Sequence, residues 1–405
     1  MQSTELYIKD LTIMKTITKT LPLTTHNSLC VSSNLFFDIE TTGFLRTGCF
    51  CYLIGAAYAA NERLTVIQWL AEEKDDEPKL LQTFAAFLSD FSSITHFNGD
   101  SFDIPFLKKR AEIYNIELNI DSLRSIDLYK QAKGLKPLMR LESYNQKSIE
   151  HFLGIHRDDL YSGKELIDVY KEYVKKLKKN EADSQSEELL LLHNYDDVCG
   201  LISISSITSY NNIIAKRISY DSLTYSPDYI TLVFLLPEAV PVSILLQASD
   251  YVLRVERSTL KVRFPLIIDS LKYFYDNYKD YYYLPYEDTA IHKSVAAYVD
   301  SECRKKATKD TCYTRKTAAF VMLPSYTGDR PVFKREYNDS DIFLMLDNAS
   351  DSISDNTHLP AYDDYDTATI KKILPADIIQ QAANAIITFF YKRTVHYTHN
   401  QDPYN

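Results

Sequence analysis

A chain of 405 residues is long enough for two or three domains that each bury their own core, and its 45% apolar and 25% charged content is that of a globular chain. The most apolar run, Ile230 to Leu246, is broken by Pro237, Glu238 and Pro241 and cannot span a bilayer, and the charges at Glu5, Lys9, Asp10, Lys15 and Lys19 argue against a secretory leader. The net charge of −10 does not exclude a polyanionic partner: eight Asp and no Lys or Arg lie between Asn338 and Ile370, and setting those eight aside brings the formal charge to −2. Six cysteines (Cys30, Cys49, Cys51, Cys199, Cys303, Cys312) show neither C-x-x-C pairing nor zinc-ligand spacing, so free thiols in a reducing, cytoplasmic setting are expected.

In chain order, residues 1–30 read as an arm or a first strand, with weak β propensity from Thr16 to Thr25. Residues 34–40, Cys49 to Ala60 and Leu64 to Leu70 form a predicted β-meander. Leu80, Leu81, Phe84, Phe87 and Leu88 recur at helical spacing, so 76–90 is a predicted helix. A short strand at 94–97 ends in Asn98-Gly99, a turn signal, and a helix over 103–115 follows with Pro105 in its first turn. A short strand at 125–128 and helices at about 146–153, 164–179 and 186–208 complete a mixed α/β sheet flanked by helices, assigned to 31–209.

Near residue 210 the texture changes to short β runs at 229–236, 242–246, 251–255, 260–264, 319–322 and 342–345. The apolar spacing of Ile291, Val295, Ala296, Tyr298 and Val299 predicts an amphipathic helix over 287–306, the acidic piece at 348–368 reads as a disordered loop, and 369–391 as a closing helix. Residues 210–405 are therefore expected to be an α+β accessory domain rich in antiparallel strands.

The candidate chemistry begins with F36-F-D-I-E-T-T-G-F44. Residues two apart in a strand share a face, so Asp38 and Glu40 sit side by side with Phe37 and Ile39 in the core behind them. Taken alone the pair suits a solvated strand face as well as it suits two ligands for a hard divalent cation. Asp103 opens a helix just after a strand and turn, where it can aim over the strand end or merely cap the helix. His193 and Asp197 lie four apart on one helical face, either an ordinary surface pair or carboxylate and imidazole turned to a common site.

In this order and at these separations D38-I-E40-T-T-G, N98-G-x-x-F-D103-x-P-F-L and H193-N-x-D-D197-V resemble the three motifs of the ribonuclease H-like DEDD exonuclease superfamily, and S162-G-K-E-L-I-D-V-Y-K-E-Y173 with the Tyr-rich second half is similar to its YprB-like group. The motifs cover about residues 34–205, half of the chain. The resemblance implies Asp38, Glu40, Asp103 and Asp197 as ligands of two ions, Mg²⁺ or Mn²⁺, roughly 3.5–4 Å apart, and a 3′→5′ exonuclease acting on DNA or RNA. One position departs from the pattern: the superfamily has Tyr four residues, or His five residues, before the last Asp, whereas His193 stands at minus four and Leu192 at minus five. His193 then takes the place of the water-orienting Tyr and is a candidate general base, while Tyr195 faces elsewhere and Asp196 points away from the site.

Cations for phosphates are offered by Lys108-Lys109-Arg110, by Lys130, Lys133, Lys136 and Arg140 in an expected loop, by the five Lys of 171–179, and by Arg304, Lys305, Lys306, Lys309, Arg315 and Lys316. Asn98, Lys133, Lys136, Arg140, Arg304 and Lys305 are taken as the candidate nucleic-acid contacts, whereas the Lys of 171–179 read more readily as a solvated helix face. Of 31 Tyr, 21 follow residue 209; they are read chiefly as core rather than as base contacts. Two other readings stay open: a nucleic-acid-binding or scaffold protein with a weak or inactive site, and a structure-specific endonuclease on the same carboxylates.

Overall fold

The computed structural model describes residues 14–23, 29–155, 163–181, 183–346, 370, 374 and 376–392, and the chain divides into two units, Met1–Ser209 and Tyr210–Asn405. The first is a six-stranded mixed sheet in the order β1-β4-β3-β2-β5-β6, formed by β1 (Met14–Pro22), β2 (Asn34–Thr41), β3 (Cys51–Ala60), β4 (Arg63–Ala71), β5 (Ser93–His96) and β6 (Arg124–Asp127). The first four strands pair antiparallel; β2, β5 and β6 are parallel. Between β3 and β4 the chain reverses through Asn61 and Glu62, both at positive φ (51° and 59°), the geometry that matches the twist of a two-residue hairpin.

Both faces of the sheet are covered. On one, Phe37, Ile39, Ile54 and Trp69 pack under α1 (Glu77–Leu88) and α2 (Asp103–Ile113) through Leu80, Leu81, Phe84, Phe106 and Leu107. On the other, Tyr52, Leu53 and Leu70 pack under α6 (Gly163–Leu177) and α7 (Ser184–Ile204) through Leu166, Tyr170, Tyr173 and Leu190, with Tyr52 stacked on Tyr170 at 3.9 Å. Each such side chain removed from water contributes about 1.5–3 kcal/mol. Asp127 accepts from the N–H groups of Tyr129 and Lys130 and so starts α3 (Leu128–Gly134); α4 (Lys136–Met139) and α5 (Gln146–Phe152) follow. The expected loop carrying Lys130, Lys133, Lys136 and Arg140 is thus two short helices, with Arg140 in the left-handed conformation (φ 51°) at the end of the second. Gly134 and Pro137 conceal these turns from a periodicity argument.

Arg110 also departs from expectation. It is not an exposed cation: it is 3% exposed and paired with fully buried Glu77, with Nε at 2.8 Å from Oε1 and Nη2 at 2.5 Å from Oε2. Glu77 accepts two further bonds, from the Cys51 N–H at 2.9 Å and the Tyr114 hydroxyl at 2.9 Å, so one carboxylate ties α1, α2 and β3 together. At the sheet's outer edge, β1 reaches α7 through an ion pair from Lys15 to Glu187 and through the Lys19 ammonium, 4.7 Å from the centre of the Tyr195 ring.

The second unit is dominated by an eight-stranded antiparallel sheet and a separate three-stranded one. It runs through α8 (Asn211–Ile214), β7 (Ser219–Ser226), β8 (Tyr229–Leu235), β9 (Ile244–Ala248), β10 (Tyr251–Glu256), β11 (Thr259–Phe274), β12 (Tyr281–Leu284), β13 (Thr289–His292), α9 (Lys293–Ala296), β14 (Lys305–Lys306), β15 (Tyr313–Leu323), β16 (Val332–Lys334), β17 (Ile342–Met345) and α10 (Ala376–Lys392). The run expected at 260–264 is the start of the 16-residue β11. Its first half pairs with β8 and β10 and its second with β15 and β16, and Pro265 stands at the handover, where the missing N–H is tolerated. The helix expected over 287–306 is not formed: β13, one helical turn and β14 occupy that stretch, because β12 supplies strand partners on both sides while Val295 (56% exposed) and Tyr298 (93% exposed) find nothing to pack against. The acidic piece at 348–368 lies outside the described residues, as do residues 1–13.

The Glu77–Arg110 pair gives a stability test independent of any activity. Arg110→Met should cost about 3–5 kcal/mol in urea unfolding by stranding a buried carboxylate, and Glu77→Gln combined with Arg110→Met should recover part of that loss; equal losses in the single and double variants would show that the pair is not the clamp.

Candidate active site

Beyond Phe36, β2 loses its partner on one side: β5 pairs with it only over Asn34–Phe36. That open edge and the adjoining sheet face hold Asp38 and Glu40, on the side covered by α7 and opposite Phe37 and Ile39. Asp103 enters from the first turn of α2, whose N-cap position is Phe102, so it is not the capping residue; its carboxylate instead accepts backbone bonds from Ile39 and from its own N–H. His193 and Asp197 come from α7, one turn apart. His193 Nε2 lies 3.1 Å from Asp197 Oδ2 and 3.5 Å from Glu40 Oε1, and the three ligand atoms of Glu40, His193 and Asp197 fall within 4.8 Å of one another.

Three residues that pattern reading passed over complete the setting. Asn194, fully buried on α7, donates from Nδ2 to Asp38 Oδ2 at 3.3 Å and accepts from Gln68 Nε2 at 2.9 Å. Gly55 on β3 makes that possible: a Cβ there would stand 2.1 Å from Asn194 Oδ1 and 2.8 Å from Val198 Cγ2. Asp127, at the end of β6, accepts from the N–H of Asn98 at 2.9 Å and holds Asn98 at φ 60° in the turn leading to Asp103. Its position at a strand end before a helix is the same sequence signal that singled out Asp103.

The same turn is braced by His96. Its Nδ1 accepts from Gly99 at 3.0 Å, its Nε2 meets Ser125 Oγ at 2.8 Å, and a Cβ on Gly99 would stand 2.5 Å from that ring. His96, Asp100 and Asp127 could also gather round an ion, but Asp100 already takes Ser125 Oγ at 2.6 Å and Lys130 Nζ at 2.6 Å, so the group acts as a clamp on the turn. Lys133 and Lys136 are exposed on α3 and α4, Lys133 lying 4.4 Å from the centre of the Tyr129 ring. Arg304 and Lys305 belong to the second unit.

The electrostatics follow from crowding. Burial pushes the Asp38 carboxyl well above the usual carboxylate range, and the charges of Asp197, Asp103 and Glu40 push it further, with His193 opposing. Burial likewise raises Asp103 to about 7, against its two backbone donors and with the help of Asp127 and Asp197. Oxygen donors that mutually disfavour their own ionisation are a chemically fitting set for a hard divalent cation, which would reverse that preference.

Residues 35–208 match the family model described as the RNase H superfamily. The amino-terminal unit contains a ribonuclease H-like domain. Within the chain, 175 residues are 32% identical to the uncharacterized protein YprB of Bacillus subtilis (strain 168), a match covering 42% of this chain and 40% of that one, so the chain spans less than half the length of the curated relative. Among solved structures, a family B DNA polymerase from the archaeon Pyrobaculum calidifontis aligns over 59% of this chain and 33% of its own at 15% identity and a TM-score of 0.34. An E. coli exonuclease I–single-stranded DNA complex aligns over 56% and 54% at 13% identity and a TM-score of 0.26.

Two measurements probe this site without assuming an activity. Gly55→Val should destabilise the ribonuclease H-like domain by about 1–3 kcal/mol or more in urea unfolding, since β3 and α7 must separate; an unchanged midpoint would show that α7 is not seated on Gly55. For pH, a carboxyl raised in the folded state binds its proton more tightly folded than unfolded, so its penalty is absent below the unfolded value near 3.8 and complete above about 7. In EDTA, Asp103→Asn should therefore be more stable than the native chain at pH 8, the gap closing toward pH 4; a pH-independent gap in melting temperature would contradict the shift.

Proposed function

We propose that this chain is a metal-dependent 3′→5′ exonuclease that hydrolyses phosphodiester bonds of DNA or RNA, the second unit guiding the strand. The observation that carries the reading is the convergence of Asp38, Glu40, Asp103 and Asp197 from one strand and two helices of a ribonuclease H-like domain, with Asp38 electrostatically coupled to the other three. These four would hold two ions, Mg²⁺ or Mn²⁺, which when bound supply Lewis acidity toward the phosphodiester and toward the attacking water. Their four negative charges would match the cations' +4, which supports a two-ion complement.

The chain's own residues have distinct tasks in this reading. Asn194 fixes the rotamer of Asp38 by donating to one of its oxygens, and Gln68 fixes Asn194 in turn. Asp127 and His96 hold the turn that delivers Asp103. His193, whose Nε2 faces the Asp197 and Glu40 carboxylates and donates to them, is the candidate base: released once those carboxylates turn to the ions, its imidazole would accept the water's proton as the new bond to phosphorus forms and the bond to the leaving 3′-oxygen breaks. Asn98, Lys133, Lys136, Arg140, Arg304 and Lys305 remain candidate contacts to nucleic acid. Among the described residues no helix is long and apolar enough to cross a membrane; a cytoplasmic setting is part of the proposal.

The test is an assay of the purified chain on matched 5′-labelled DNA and RNA oligonucleotides. Mononucleotide release from the 3′ end with Mg²⁺ or Mn²⁺ is expected, lost in EDTA and in Asp38→Ala, while Asn194→Ala should cost roughly 10–100-fold in activity or metal affinity. Inactivity on every DNA and RNA substrate would overturn the reading, and cuts within a circular substrate would replace exonuclease by endonuclease.

A second reading draws on His193. Its Nε2 is already directed at two of the proposed ligands, in the place where the resembled motif carries Tyr, which favours a nucleic-acid-binding protein with weak turnover. If His193→Tyr gains at least tenfold in rate over the native chain, this reading prevails; a loss supports His193 as the base.

A further inference from the structure

The second unit carries a small sheet that brings cations beside an outward-facing aromatic ring. β13, β12 and β14 form a three-stranded antiparallel sheet, and alternate residues of β12 point to opposite faces. Tyr281 and Tyr283 turn inward, where with Tyr275 and Tyr278 they pack against Ala290, Ala307 and Cys312. Tyr282, between them, turns outward and is only partly buried. The strand register sets Lys306 directly beside it and Lys305 beside Tyr283, on the other face. The Arg304 guanidinium lies 5.1 Å from the centre of the Tyr282 ring, on the same side as Lys306. Arg304 and Lys306, rather than the Lys305 singled out from the sequence, therefore flank the outward ring.

Tyr278, Lys279, Tyr281, Tyr282, Lys306 and Ala307 line a cavity of about 200 Å³. Sites that enclose a drug-sized ligand run to ~300–1,000 Å³, so this one suits a single planar ring system with the rest of its molecule outside. Among the described residues its lining contains no carboxylate, and Lys279 and Lys306 make no ion pair. Of the acids close by in sequence, Asp280 takes Lys293 Nζ at 2.7 Å and Asp288 takes the hydroxyls of Tyr283 and Tyr313 and Arg315 Nε at 2.5 Å, while Asp276, Asp300, Glu302 and Asp310 are not part of the cavity lining.

We propose that this face docks single-stranded nucleic acid, one base stacking on Tyr282 in the cavity while Lys279, Arg304 and Lys306 take the neighbouring phosphates. A polymer with a planar face and a negative charge at every residue uses both the ring and the cations; an acidic protein surface would use the cations and leave the ring idle. The inference rests on the nuclease reading only for the choice of polymer, and its test needs no turnover.

The experiment is fluorescence anisotropy of the whole chain in EDTA with labelled 20-mers of dT and rU over a salt series. Tyr282→Ala should weaken binding about fivefold or more, while Tyr282→Phe, which keeps the stacking face, should bind like the native chain. Lys279→Ala with Lys306→Ala should lower the slope of log K against log salt by about 1.4, the value for two lost single-strand phosphate contacts. Native affinity in Tyr282→Ala, an unchanged salt slope, or displacement of the oligonucleotide by polyglutamate as readily as by unlabelled strand would overturn the proposal. Binding here with no cleavage of any substrate in Mg²⁺ or Mn²⁺ would leave this inference standing and sink the nuclease reading; cleavage in Mg²⁺ or Mn²⁺ with none of these binding effects would do the reverse.

Discussion

Repulsion between carboxylates at the end of β2 is the constraint around which the amino-terminal unit is arranged. Asp103 and Glu40 are both buried, and the charge of each disfavours ionisation of Asp38. Left to itself such a group would spread apart or draw in water, since a buried charge without compensation is among the costliest things a fold can contain. It is held by parts whose own stability comes from elsewhere. Asp38 and Glu40 are fixed by a strand paired along its length to β3. Asp103 is fixed by α2, which the buried Glu77–Arg110 pair fastens to α1 and β3. Asp197 is fixed by α7, seated against β3 where Gly55 offers no side chain.

The two faces of the sheet consequently differ in character. The face under α1 and α2 is apolar and closed, with Phe37, Ile54, Trp69 and Phe84 interlocked. The face under α7 is apolar only toward α6 and becomes polar where Gln68, Asn194 and Asp38 are joined by hydrogen bonds. A neutral amide chain there can orient a carboxylate without neutralising it, which keeps its charge available to a cation. The ribonuclease H-like match over residues 35–208 covers both faces and all four acids.

Much of this was legible in the sequence because it depends on short periodicities. The face-sharing of Asp38 and Glu40 follows from a period of two, and that of His193 and Asp197 from a helical turn, so both pairs could be placed before any coordinates. Asn194 was not legible, since its value comes from a glycine 139 positions earlier on a neighbouring strand, a relation no local pattern carries. Arg110 was misread as a free cation because its partner, Glu77, lies on another helix. The failure at 287–306 has a different cause: helical spacing was present, but strand partners competed for the same backbone groups and won. Pro265 likewise reads as the end of a strand, yet β11 passes through it because its hydrogen-bonding partner changes at that point.

Strand β1 is the least buried strand of the mixed sheet, and it would be easy to regard it as an ornament. Its contacts with α7, from Lys15 to Glu187 and from Lys19 to Tyr195, give it a reach beyond its own hydrogen bonds. The helix that carries His193 and Asp197 is thereby fastened at one flank to an edge strand, the kind of element that frays first in a native ensemble. Opening of that edge would loosen the carriage of two site residues without unfolding the sheet. The precision of the carboxylate cluster is then a property set partly by its periphery, where a protease, a partner or a change of salt can act long before the core responds.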